Sequence, residues 1–159
     1  MPQTPALTRR ADSTSFKILY RFRAGDSDGA NPQSDLIHVG GKLYGTTVAG
    51  GPRYYYCSPY TSCGTVFSVT LGGSEKVLHI FDTRGDGHNP VSGLIDAGGT
   101  LYGTTSGGGS AACYGGYYGL CGTVFSITPS GAEKLLHGFS GLPDGEHPIA
   151  GLVDVQRTL

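Results

Sequence analysis

The sequence predicts an all-β protein made of tandem, four-stranded antiparallel repeats, and three observations support this prediction. Short sequence elements recur at a constant spacing along the chain. Each copy holds four short β-compatible runs that are separated by turn residues. Glycine accounts for 28 of the 159 residues, tryptophan is absent and runs of good helix formers are missing. Such a composition favours turn-rich β structure over helix.

The repeat is defined by elements that return in the same order. An Asp-Gly pair begins at Asp28, Asp86 and Asp144. A Leu-Tyr-Gly-Thr-Thr element begins at Leu43 and Leu101, and a Gly-Thr-Val-Phe element begins at Gly64 and Gly122. All three elements keep the same spacing between copies, which is the period of the repeat, and a fixed period is the signature of a repeat architecture. We therefore expect a flexible segment, 1–15, followed by a tandem repeat region, 16–159. This region comprises a first repeat (about 16–81), a second repeat (82–139) and a truncated third repeat (140–159).

Four strands are expected in the second copy, over 92–97, 100–106, 122–128 and 133–139. Gly98-Gly99 and Pro129-Ser130-Gly131 would close two hairpins, because glycine accepts a positive φ and proline presets its own φ. Four antiparallel strands and a longer link, repeated, are the plan of a propeller blade. We therefore expect a partial, truncated β-propeller. A β-solenoid and a two-sheet sandwich are the alternatives, although the period is long for a solenoid rung and a sandwich needs no fixed period.

Composition and charge argue against several classes of partner. The formal net charge is −1, which offers no electrostatic footprint for a phosphate backbone or an anionic membrane. No run approaches the ~20 apolar residues that span a bilayer, and the segment 1–15 lacks the apolar core of a secretory signal. No nucleotide-binding, hydrolase or zinc-protease motif occurs. We expect no nucleic-acid partner, no membrane insertion, no cofactor and no catalytic residue.

The four cysteines fall in one type of loop. Cys57 and Cys63 precede the first Gly-Thr-Val-Phe element, and Cys113 and Cys121 precede the second. Equivalent pairs within each copy favour two disulfides, each contributing roughly 2–3 kcal/mol and implying an oxidising compartment. Reduced structural thiols and a metal site are the alternatives. The spacing within each pair and the lack of histidine in these loops disfavour zinc.

Tyrosines are concentrated in the same loops. The members of this group are Tyr54, Tyr55, Tyr56, Tyr60, Tyr114, Tyr117 and Tyr118. Tyrosine among glycine and serine provides rigid, amphipathic contact area at a low cost in conformational entropy. These loops are therefore the candidate binding surface. The alternative is that the rings cover the core and stack on the neighbouring loop.

One acidic segment is a candidate for calcium. Asp26, Asp28, Asn31 and Asp35 place oxygen ligands around a glycine, as a calcium loop does. The pattern is not kept in the other copies. Hydrogen-bonded Asp-Gly turns are therefore the simpler interpretation.

Two histidines recur at one strand position. His79 and His137 are equivalent, and the first copy has Tyr20 there. A general base cannot be replaced by tyrosine without changing its chemistry. We interpret the position as a packing site with a polar tip.

The elements LYGTTSGGG, GTVFSITPSGAEKLLHGF and DGEHPIAGL closely resemble the tandem repeat of the bacterial extracellular GloVer-repeat, or choice-of-anchor, proteins. With their copies these elements extend over 16–159, nearly the whole chain. The resemblance implies an exported, surface-anchored protein without a defined biochemical function, although the chain shows neither signal nor anchor. A looser resemblance to kelch blades rests on Gly50-Gly51 and Gly107-Gly108. The kelch tryptophan is missing, so this second resemblance implies architecture only.

These observations predict a non-catalytic extracellular or cell-surface module that binds protein or carbohydrate through its loop face. Its expected partners are the remaining blades of the same propeller or other copies of the chain, together with an extracellular protein or glycan. The alternative is a fragment of a propeller enzyme, of oxidase or lyase type, whose active site needs further blades.

Overall fold

The computed structural model describes residues 16–54, 57, 62–82, 85–109 and 121–154. Regular structure in this part of the chain is entirely β. The ten strands are β1 (Gly29–Ala30), β2 (Ile37–Val39), β3 (Lys42–Thr47), β4 (Ala49–Gly50), β5 (Thr65–Thr70), β6 (Glu75–Ile80), β7 (Ile95–Ala97), β8 (Thr100–Thr105), β9 (Thr123–Ile127) and β10 (Glu133–Gly138). The predicted all-β fold class is confirmed. A search of these residues finds no helix with the length and apolarity needed to cross a bilayer.

Eight of these strands form two equivalent antiparallel sheets. Sheet 1 has the strand order β2-β3-β5-β6 and sheet 2 the order β7-β8-β9-β10, while β1 pairs with β4. The register is also equivalent, since Ile37 lies opposite Tyr44 in sheet 1 and Ile95 opposite Tyr102 in sheet 2. Segments that are one period apart in the sequence therefore fold alike, as the repeat predicts.

The hairpin turns follow the predicted glycine chemistry. Gly98 and Gly99 have φ values of 67° and 83°, as a two-residue turn with positive φ at both central positions requires. The first predicted strand of the second copy is shorter than expected and begins at Ile95. The carbonyl oxygen of Ser92 accepts a hydrogen bond from the Thr46 hydroxyl of sheet 1 at 3.0 Å. This segment therefore bonds to the neighbouring sheet and does not extend the ladder of its own sheet.

One hydrophobic core spans both sheets. Its buried members are Tyr44, Cys57, Cys63, Val66, Phe81, Leu94, Leu101, Phe125, and Ile127. At its centre the ring of Phe81, which follows β6, meets Phe125 of β9 edge-to-face with 5.3 Å between centroids. Phe22 contacts Phe67 of β5 in the same way at 4.9 Å. Phe22 and its equivalent Phe81 thus each pack against the sheet that follows them in the chain.

The links between copies are held by a residue in the left-handed conformation. Three equivalent positions have φ near +50°, namely Asn31, Asn89 and His147. Asparagine tolerates this conformation better than most residues. The amide of Asn89 donates to the Cys63 carbonyl at 2.7 Å, and its carbonyl accepts from the Ser106 amide at 3.1 Å. This residue is therefore bonded to both copies at once.

The outer face of sheet 2 is open to solvent among the described residues. Leu135 and Leu136 of β10 are 41% and 45% exposed. In sheet 1 the residue equivalent to Leu136 is Leu78, which is half-buried and packs against the core. Phe81 is fully buried, whereas its equivalent Phe139 is only half-buried. The difference arises because sheet 2 covers sheet 1.

Candidate functional site

The interface between the sheets contains one cluster of histidine and carboxylate groups. His79 lies on β6, Asp86 in the link and Glu133 at the start of β10. One ligand atom from each of the three lies within 4.8 Å of the other two. In the described part of the chain, no other three His, Cys, Asp or Glu residues come together in this way. We refer to His79, Asp86 and Glu133 as the interface cluster.

Packing fixes the first two members of the interface cluster. The His79 ring stands edge-to-face on Phe81 with 4.8 Å between centroids, because residues two apart on a strand share a face. Its Nε2 lies 2.9 Å from Asp86 Oδ2. The next residue, Gly87, has φ of 100° and sits against the buried hydroxyl pair of Thr105 and Thr123. A side chain at Gly87 would collide with these threonines, so glycine allows the turn that places Asp86.

Burial and the close approach of its charged groups determine the electrostatics of the interface cluster. Burial, the charge of Asp86 and a hydrogen bond with Asp86 raise the pKa of Glu133 to about 7, although His79 acts in the opposite direction. Burial lowers the pKa of His79, but the hydrogen bond and charge of Asp86 outweigh burial, so that this pKa is raised. Glu133 Oε1 is buried without a hydrogen-bond partner. The carboxyl pair therefore favours a proton or another cation between its members.

A related arrangement occurs in the first copy. The Tyr20 hydroxyl donates to Asp28 Oδ2 at 3.0 Å, and Glu75 lies nearby. Burial, followed by the charge of Asp28, raises the pKa of Glu75. Glu75 Oε1 is also buried without a partner. The aspartate and glutamate are thus common to both copies, and the histidine is replaced by tyrosine.

The third copy contains part of the same arrangement. His137 Nε2 lies 3.1 Å from Asp144 Oδ2, with 48% and 33% of the two side chains exposed. The corresponding fractions for His79 and Asp86 are only 19% and 11%. Sequence analysis found the equivalence of the histidines but not their carboxylate partners. The signal was present, because both the Asp and the Glu positions recur one period apart in the sequence.

The three aspartates among the calcium candidates do not form a group of ligand atoms in the described part of the chain. Asp28 is buried, and its carboxylate accepts hydrogen bonds from the backbone amides of Arg23 and Gly29, each at 2.7 Å. Asp26 and Asn31 line a cavity of about 210 Å³, and Asp35 is exposed. These bonds are those of a hydrogen-bonded Asp-Gly turn.

The predicted disulfide between Cys57 and Cys63 is present. The two Cα atoms are 5.1 Å apart, and both residues are buried in the core cluster. The two alternative interpretations of this cysteine pair, reduced thiols and a zinc site, are therefore excluded. Cys121 is also disulfide-bonded, while Cys113 lies outside the described residues. A disulfide is compatible with an extracellular location.

The tyrosine-rich loops are described only at one position. Tyr54 is half-buried and packs against the core cluster, as the alternative interpretation of these rings expects. The other members, Tyr55, Tyr56, Tyr60, Tyr114, Tyr117 and Tyr118, lie outside the described residues. Their role as a binding surface stays a prediction.

Two equivalent sheets, joined through a link that bonds to both copies, define an all-β tandem-repeat protein. The model of the Gloeobacter/Verrucomicrobia repeat family matches residues 4–159. The chain therefore belongs to this family, which confirms the resemblance seen in the sequence. No curated protein and no solved structure matches the chain.

Proposed function

We propose that this chain is a non-catalytic extracellular module whose sheets are blades of a β-propeller and whose loops bind a protein or glycan. One observation carries the proposal. Sheet 2 covers the outer face of sheet 1 and presents an equivalent face of its own that no described residue covers. Such a face is completed most simply by a further copy of the same repeat, since stacked repeats bury apolar surface that one repeat cannot bury alone.

The relative placement of the strands supports blades rather than a sandwich. The first strands of the two sheets, β2 and β7, lie against each other, as the innermost strands of neighbouring blades do around a propeller axis. Each sheet is a meander that runs outward from this strand. A sandwich of the Greek-key type would instead pass the chain back and forth between its two sheets.

The contacts that cover sheet 1 indicate which kind of segment would pack on the outer face of sheet 2, which we call the open face. A Cβ on Gly131 would lie 2.6 Å from the Leu78 carbonyl oxygen, and a Cβ on Gly73 would lie 2.5 Å from that of Leu19. Strand β6, which contains Leu78, and the segment around Leu19 that precedes β1 are thus each approached by a glycine turn of the sheet that follows them. The equivalent residue on the open face is Leu136, so its partner should bring a glycine turn together with a buried phenylalanine.

Self-association of the chain tests this part of the proposal. We expect sedimentation velocity to show concentration-dependent association of the wild-type chain. Leu136→Asp should abolish the association, because a charge would be buried against apolar surface. Leu71→Asp is the matched control, since Leu71 is an exposed leucine in the turn that follows β5. A wild-type monomer at all concentrations, or equal effects of both variants, would contradict the proposal.

Glycan arrays test the loop-binding part of the proposal. The oxidised chain should bind a defined subset of glycans, and Tyr117→Ser with Tyr118→Ser should lose this binding without a change in melting temperature. Tyr102→Phe serves as control, because Tyr102 lies on β8, outside the loops. Loss of stability with unchanged binding would instead show that the loop tyrosines only pack.

A further inference from the structure

We propose that His79, Asp86 and Glu133 bind one divalent transition-metal ion of the zinc class between the two sheets. This site goes beyond the proposed function, because it lies within the chain and needs no further copy. It would join β6 and the link to β10, and so hold sheet 2 against sheet 1.

The donor atoms have suitable chemistry and spacing. One imidazole nitrogen and two carboxylates form a mixed set that zinc accepts, at about 2.0–2.2 Å from the ion. Neighbouring ligands of such an ion are roughly 3 Å apart, and His79 Nε2 lies 2.9 Å from Asp86 Oδ2. Glu133 begins its strand and is half-buried, and its ligand oxygen lies within 4.8 Å of the ligand atoms of His79 and Asp86.

The charges around the interface cluster also favour a cation. The ionisable groups that act on His79 are Asp86, Glu133 and Asp82, all of which are acidic. The buried oxygen Oε1 of Glu133 has no hydrogen-bond partner, so this carboxylate is not fully satisfied by the protein. An ion would replace the proton in the hydrogen bond between His79 Nε2 and Asp86 Oδ2 and release it to solvent.

The interface cluster is not sealed from solvent. The side chains of His79 and Asp86 retain 19% and 11% of their exposure. An ion can therefore reach the three ligands, and water can complete a tetrahedral shell.

The chain provides its own comparison sites. In the first copy Tyr20 replaces the imidazole, and burial, followed by its hydrogen bond to Asp28, raises the pKa of this phenol above its ordinary value. A neutral phenol is a poor ligand for zinc. One period after the interface cluster, His137 and Asp144 have no third ligand within reach among the described residues. The imidazole and both carboxylates come together only in the interface cluster within this part of the chain.

Zinc titration of the tag-free, oxidised, EDTA-treated chain tests the proposal. Isothermal calorimetry should give one Zn²⁺ per wild-type chain. His79→Tyr should weaken binding by more than about 100-fold, because loss of a ligand should cost more than loss of a residue that only orients a ligand, for which about 10–100-fold is typical. His137→Tyr should leave one ion bound, and Tyr20→His should raise the number to two, because it recreates the interface cluster in the first copy.

Thermal unfolding followed by tyrosine fluorescence separates binding from folding. Zn²⁺ should raise the melting temperature of the wild type but not of His79→Tyr or Glu133→Gln, because an ion stabilises only the state that binds it. The metal-free variants should melt close to the metal-free wild type, since tyrosine occupies this position in the first copy. Absence of zinc binding, or unchanged binding by His79→Tyr, would overturn the proposal. One ion in Tyr20→His would overturn the assigned role of the imidazole.

Discussion

Truncation of Phe81 tests whether sheet 2 covers sheet 1 as the structure shows. Phe81 is 0% exposed and its ring packs on Phe125 at 5.3 Å. Replacing a buried phenylalanine by alanine costs about 3–5 kcal/mol through lost burial and the cavity that remains. Domains are typically stable by about 5–15 kcal/mol. Phe81→Ala should therefore remove a large part of the free energy of unfolding.

The matched control for this prediction is Phe139→Ala. Phe139 ends the same sequence element in the next copy, but it is half-buried because no described sheet covers it. Its truncation should cost about 1 kcal/mol, a fraction of the value of full burial. Urea unfolding followed by tyrosine fluorescence gives both free energies, provided that the slope m stays constant. Equal losses for the two variants would refute the assigned interface.

Three other predictions concern local features of the sheets and loops. Gly131→Ala should lower the melting temperature more than Gly99→Ala. Both glycines have a positive φ, but only at Gly131 would a Cβ lie 2.6 Å from a backbone oxygen of β6. Equal melting temperatures of the two variants would contradict this prediction. Replacing both Cys57 and Cys63 by serine should lower the free energy of unfolding by about 2–3 kcal/mol, measured in urea, and an unchanged midpoint would argue against the assigned role. Burial and a neighbouring aspartate raise the pKa of Glu75 above 4.5, so the folded wild type should lose stability as the pH rises from 4.5 through the raised pKa. Glu75→Gln should lack this loss when melting temperatures are measured at about pH 4 to 8. The same dependence of melting temperature on pH in both proteins would contradict the prediction.

The strands and turns were predictable because they depend on local chemistry. Gly98 and Gly99 adopt the positive φ values that a short hairpin demands, and β10 spans Glu133–Gly138, one residue shorter than the sequence predicts. The segment that precedes Ile95 was wrongly predicted as strand. Its carbonyl at Ser92 bonds to a threonine of the other sheet, and no pattern within the segment itself shows that contact.

The interface cluster was only partly predictable, because it too depends on contacts between the two sheets. Strand position identified His79 as a packing site with a polar tip, and its edge-to-face contact with Phe81 agrees with that interpretation. The approach of Glu133 depends on how sheet 2 lies on sheet 1. A periodic sequence identifies equivalent residues, but it does not show which residues of neighbouring copies meet.

If successive copies cover one another through the same contacts, a further copy should bury the open face of sheet 2. A protein in which residues 82–139 are duplicated after Phe139, so that a further sheet follows sheet 2, provides the test. We expect Phe139→Ala in this protein to cost about 3–5 kcal/mol, as for a fully buried phenylalanine, and the added copy to raise the free energy of unfolding above that of the parent. If truncation of Phe139 in the extended protein still costs only about 1 kcal/mol, successive copies do not cover one another in this way.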